Sequence, residues 1–164
     1  MNFLVILGAS LVSLPVGFIW YHKKVFGTAW MKAIGVTDEE KMKEGAKMGL
    51  IFGLTILFSM MFTTILSTMV IHQSGIYSIL QGIEIGDKPL IELNVNGQSI
   101  DWMNRFRTFK HGMLHGFLLS IFFVLPIIGT NALFERRSFK YIAITTGYWM
   151  INLMIMGGII CAWA

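Results

Sequence analysis

The stretch 46-AKMGLIFGLTILFSMMFTTILSTMVI-71 holds one lysine, at its edge, and no other charged residue. Wound as a helix at about 1.5 Å per residue, it is longer than the roughly 30 Å hydrocarbon core of a bilayer, which about 20 residues cross. Working outward, three further windows of the same kind lie at about 3–21, 112–134 and 140–163, and none carries Asp, Glu or Arg. The whole chain has the matching composition: 164 residues, 55% hydrophobic, 13% charged, with a mean hydropathy of +0.66. A soluble domain of this size needs more charge on its surface. We therefore expect residues 1–164 to form one transmembrane domain. Its fold class is all-α, an integral membrane four-helix bundle whose first partner is the lipid bilayer.

The first window has no Lys or Arg before it and no small-residue cleavage pattern after it, so it reads as a retained span and not a secretory leader. The net charge of +4 does not point to nucleic acid, because the cations cluster beside the apolar windows. Lys23, Lys24, Lys32, Lys41, Lys43 and Lys47 lie between windows one and two, and Arg136, Arg137 and Lys140 between three and four. Only Lys88, Arg105, Arg107 and Lys110 lie between two and three. The positive-inside rule then places the first and third connections in the cytoplasm and both termini on the non-cytoplasmic side of a multi-pass inner-membrane protein. In the run 131-NALFERRSFKY-141, Arg136, Arg137 and Lys140 are topology residues that orient the last helical hairpin. The single Cys161 excludes an internal disulfide and a CxxC redox pair.

The loops carry local signals. Phe26, Trp30 and Ile34 recur every four residues between Gly27 and Gly35, which predicts a short interfacial helix. Thr37, Asp38, Glu39 and Glu40 form a capping box, so the second helix should start well before the membrane. In the outer loop, residues 72–110, Asn96-Gly97 sits between two alternating runs and predicts a small β-hairpin with a type I′ turn.

Candidate sites follow from polar and small residues inside apolar windows. Gly45, Gly49 and Gly53 repeat every four residues in the second window, and Thr55, Ser59, Thr63 and Ser67 continue the spacing. Such ladders let helices approach closely, within one bundle or between subunits; a polar pore-lining stripe is the sharper alternative. Asn131 and Asn152 should face the bundle interior, since an unpaired amide in hydrocarbon is costly. Trp149, one turn before Asn152, could give its indole N–H to it. Pro15 and Pro126 each remove a helical donor and should kink their spans.

His111 and His115 stand one helical turn apart at the start of window three, and His72 ends window two on the same side. Such spacing can hold a divalent metal. No HExxH pattern accompanies it, and imidazoles at a boundary bond readily to water and headgroups, so the expectation is no stoichiometric metal and no cofactor.

Trp20-Tyr21, Phe26-Gly27, Trp30-Met31, Gly35, the run 131–137 and Gly147-Tyr148 carry a resemblance that reaches over nearly the whole chain. In their order and spacing the sequence resembles a bacterial membrane family known only as domain of unknown function 1761. That resemblance implies four transmembrane helices and brings no reaction, substrate or cofactor with it. The outer loop is longer than that family's usual connection.

No nucleophile–base pair, no carboxylate inside a window and no Gly-rich phosphate loop is present, so the reading leans away from an enzyme. A structural or interaction subunit, or a small homo-oligomer bound to itself or to another membrane protein, is the leading class. A small transporter or channel using the hydroxyl ladder is the alternative. A membrane enzyme would have to be built on His72, His111 and His115 at the outer face.

Overall fold

The computed structural model describes residues 2–36, 47–79, 93–95, 98–100 and 104–164. Among them, four helical stretches are long and apolar enough to cross a membrane: Phe3–Trp20, Met48–Val70, Phe109–Phe134 and Phe139–Trp163. They are called spans one to four below.

Span one is two helices, α1 (Phe3–Ser10) and α2 (Ser13–Trp20), broken at Leu11 and Val12. Pro15 causes the break: it has no N–H for the carbonyl of Leu11, and its ring crowds that carbonyl. The carbonyl instead accepts from the Leu14 N–H at 3.2 Å. A π-helical turn, Lys23–Gly27, and α3 (Thr28–Ile34) follow, with Gly35 closing α3 at φ +80°. Span two is α4 (Met48–Val70), followed by the short α5 (Gln73–Ile79). The proposed capping box at 37–40 and Gly45 lie outside the described residues. β1 (Leu93–Val95) and β2 (Gln98–Ile100) pair antiparallel with Leu93 opposite Ile100, while Asn96 and Gly97 lie outside the described residues.

Span three comprises α6 (Phe109–Leu119), a π-helical turn at Ser120–Val124 and α7 (Leu125–Phe134). The turn stands just before Pro126, where a wider loop of backbone accommodates the missing donor. Span four is α8 (Phe139–Trp163), unbroken. Between them the chain reverses sharply. Arg136 takes a left-handed φ of 57°, and the N–H of Arg137 reaches back to the Ala132 carbonyl at 2.8 Å, a Schellman closure.

Span four is the axis of the bundle: half of it is buried, against 17–22% of the other three. Its most extensive contact is with α6, where Gly112 and Gly116 lie against the backbone of Gly157 and Leu153. A Cβ on either α6 glycine would collide with that backbone, so only glycine permits the approach. Leu66, Val70, Leu153, Met156 and Ile160 fill the core. Large apolar side chains also stand outward, among them Phe18, Phe58, Met61 and Phe122. A surface as apolar as its core is one that lipid solvates and water does not.

This arrangement corrects the small-residue reading of span two. Gly49 and Gly53 are exposed, with nothing among the described residues within 4 Å of where a Cβ would stand, so they make no close contact with those residues. The hydroxyl half of the ladder does face inward from Ser59 onward: Ser59, Thr63 and Ser67 are buried, whereas Thr55 is half-exposed and donates to its own Ile51 carbonyl. The Ser59 hydroxyl donates to Ser13 at 2.9 Å and so ties span two to span one. Thr63 bonds back to the Ser59 and Met60 carbonyls. The close glycine contact exists, but it joins spans three and four.

The amides divide as well. Asn152 is fully buried, and its Nδ2 donates to the Tyr148 carbonyl at 2.8 Å. Its Oδ1 has no partner among the described residues. Asn131 is exposed, contrary to expectation; it lies in the last turn of α7, beside the chain reversal, where its amide need not enter hydrocarbon.

Candidate metal centre

Backbone geometry at one end of the bundle brings three imidazoles to a point. Span two ends when Ile71 turns to extended backbone, which swings His72 off the helix axis. Thr108 caps span three, its hydroxyl accepting from the His111 N–H at 3.2 Å, so α6 is wound by the time it reaches His111. His111 and His115 then share a face one turn apart. Gly112 and Gly116 each follow a histidine by one position, about 100° round the helix. Because those glycines are pressed against span four, the rotation of α6 is fixed.

The result is a triangle of Nε2 atoms. His72 to His111 is 2.9 Å, His72 to His115 is 3.1 Å, and His111 to His115 is 3.0 Å. The rings meet at interplanar angles of 69° to 71°, with their centroids 4.6–5.2 Å apart. His72 is exposed and the other two are half-buried.

Hydrogen bonding cannot satisfy this triangle. In the ring plane a neutral imidazole nitrogen carries either one hydrogen or one lone pair. Of three nitrogens facing one another, any mixture of N–H and lone pair leaves at least one contact like against like, and a single N–H or lone pair cannot point squarely at two partners. A cation shared by three lone pairs satisfies all of them at once. At metal–nitrogen distances of about 2.0–2.1 Å, these separations subtend about 90–100° at an ion, within the range of first-row metal centres.

The surroundings hold the triangle in place. The Phe106 ring stacks on His111 at 5.1 Å and 21°, and the Arg105 guanidinium lies over that same Phe106 ring, 5.1 Å from its centroid. Phe106 has φ 65°, a region that a bulky residue seldom enters. Its strained turn is pinned from several directions. Gln73 Nε2 donates to the Arg105 carbonyl at 3.0 Å, Cys161 Sγ approaches the Phe106 carbonyl at 3.4 Å, and the Thr108 N–H donates to the same carbonyl at 2.8 Å. Strain of this kind concentrates at functional sites.

The opposite end is aromatic. Trp20 Nε1 donates to the Ile144 carbonyl at 3.0 Å and its ring covers Gly147, where an added Cβ would come within 2.8 Å. Tyr21 packs on Trp30 and Tyr148, and the Tyr148 hydroxyl donates to the Ser13 carbonyl at 3.1 Å. Arg137, paired with the exposed Glu135 at 3.4 Å, also donates to the Ile34 carbonyl, so the chain reversal docks on the end of α3. Arg136 and Lys140 are exposed beside it. A cleft of about 640 Å³ opens here between spans one and two, walled by Phe18, Tyr21, Trp30, Phe52 and Tyr148.

The sequence places His111 and His115 together through their spacing and puts His72 on the same side; the structure brings the His72 nitrogen against the other two. Phe106 and the Gly112–Gly157 approach are absent from the sequence reading. The glycines had a signal in Gly112-x-x-x-Gly116, whereas Phe106 had none, since neither stacking nor φ is written in composition. Trp149 is not the partner of Asn152, whose amide turns back to its own helix.

Residues that carry the family resemblance, Trp20, Tyr21, Trp30, Arg137, Gly147 and Tyr148 among them, meet at the aromatic end. Comparison with curated proteins and with solved structures gives no match. The family model described as "Protein of unknown function (DUF1761)" matches residues 4–161, nearly the full length, and the chain belongs to that family.

Proposed function

We propose that this protein is a metal-binding integral membrane protein whose His72, His111 and His115 hold one divalent first-row ion at the boundary of the bundle. One observation carries the reading: three Nε2 atoms lie within 3.1 Å of one another, an arrangement that hydrogen bonds cannot satisfy and a cation can. Imidazole donors favour zinc, copper, nickel or iron over magnesium and calcium. The proposal departs from the expectation of no stoichiometric metal, which rested on the missing HExxH pattern and on how readily imidazoles at a boundary bond to water and headgroups. The excess of cations in the first and third connections supports a multi-pass arrangement in a bacterial inner membrane with both termini outside. On that arrangement the histidine end, and the connection carrying β1 and β2 as a small hairpin, face outward.

The test is metal analysis of protein purified without a polyhistidine tag, loaded with zinc and dialysed. Wild type and His22→Ala, which alters the one histidine at the other end, should each retain about one equivalent. The double variant His111→Ala, His115→Ala should retain none. Equal zinc in all three would sink the proposal.

A structural or homo-oligomeric role is a second reading, favoured by Gly49 and Gly53, which leave a groove on the outer face of span two that none of the described residues fills. A second copy of the helix fits such a groove. Gly49→Leu should then reduce the size of the particle in mild detergent, read by light scattering.

A further inference from the structure

Resting on the reading of a metal centre, we infer that the centre is coordinatively open and takes small exogenous donors, water at rest and a small anion or a polar oxygen of a substrate in exchange. Three nitrogens 2.9–3.1 Å apart leave no room for an ion in their own plane, because its centre would lie closer to each nitrogen than the bond length allows. At bond lengths of about 2.0–2.1 Å the ion stands about 1 Å out of that plane, with all three nitrogens on one side of it. Its other hemisphere is then available to further ligands. A fourth protein ligand on the far side would have closed that hemisphere, and only His72, His111 and His115 converge there among the described residues.

Access agrees with geometry. His72 is exposed while His111 and His115 are half-buried, so the cluster stands at the surface and not in the sealed interior where Asn152 and Met156 lie. Cys161 is the one cysteine of the chain, and its sulfur is turned to the carbonyls of Val70 and Phe106 and is not among the converging ligand atoms. Three protein ligands with exchangeable positions are the pattern of reactive centres, whereas structural zinc sites enclose the ion with four. The Phe106 ring, stacked on His111, holds one wall of the site in place and leaves the exchange to the exposed side.

The experiment uses the full-length protein in detergent, loaded with cobalt(II) and titrated with sodium azide while the visible ligand-field bands are recorded. The expected result is a saturable shift of those bands, reversed by removing azide, in wild type and in His22→Ala alike. Cobalt that binds but keeps an unchanged spectrum at saturating azide would overturn the open centre while leaving the metal site standing. Failure of cobalt to bind at all would overturn the metal site and this inference together.

Discussion

The two ends of this bundle solve the same boundary problem in opposite ways. At the aromatic end the side chains that join one helix to another have complementary partners, although the Thr145 and Thr146 hydroxyls have none among the described residues: the Trp20 indole and the Tyr148 hydroxyl each donate to a carbonyl of another helix, and Arg137 does the same toward α3. At the histidine end three like atoms face one another, and their contacts cannot all be favourable without an added charge. Satisfied networks fix structure, and unsatisfied ones point to something that binds. The aromatic end therefore reads as the fastening of spans one, three and four, and the histidine end as the site.

The sharpest way to break that contrast lies between the two ends, at the glycine contact on which the histidine geometry depends. Gly116→Leu drives a side chain into the Leu153 backbone, which cannot yield, and should cost about 3 kcal/mol or more, enough to lose the folded bundle in a thermal melt. A stable Gly116→Leu protein would show that span three is free to rotate. Next in size is the ligand effect: zinc at 100 times its dissociation constant should stabilise wild type by about 2.7 kcal/mol and leave the His111→Ala, His115→Ala variant unmoved.

At the aromatic end, Trp20→Phe removes the indole's bond to the Ile144 carbonyl, which keeps its donor within the helix, and should cost about 1–2 kcal/mol without altering zinc content. Tyr148→Phe removes only the bond to Ser13 and should cost about 1 kcal/mol. Zinc loss in either variant would mean that the two ends are not independent. Smallest of all, Gly49→Leu should change protomer stability by less than about 0.5 kcal/mol, because nothing among the described residues lies within 4 Å of an added Cβ.

Those predictions also mark what could be read from the chain. The four apolar windows were legible because length and the absence of charge are properties of composition, and the helices fall within a few residues of them. The break at Pro15 and the π-turn before Pro126 were legible for the same kind of reason, a missing N–H. Which small residues touch was not. Gly49 and Gly112 have similar signals, four-residue glycine spacing in an apolar run, and only the arrangement of the helices decides that one meets open space and the other a backbone. Asn131 and Asn152 differ in the same way, by their distance from a helix end. The site was half legible: spacing joins His111 to His115, while His72 arrives through the turn at Ile71, and a contact across 39 residues has no local signature.

The most direct test of the account is X-ray absorption at the zinc edge of the loaded, untagged protein, which counts the atoms around the ion. The account predicts three imidazole nitrogens at about 2.0–2.1 Å, with the outer-ring scattering of histidine, and one or more lighter oxygen donors beside them. A first shell of oxygen alone, or one containing the sulfur of Cys161, would contradict it.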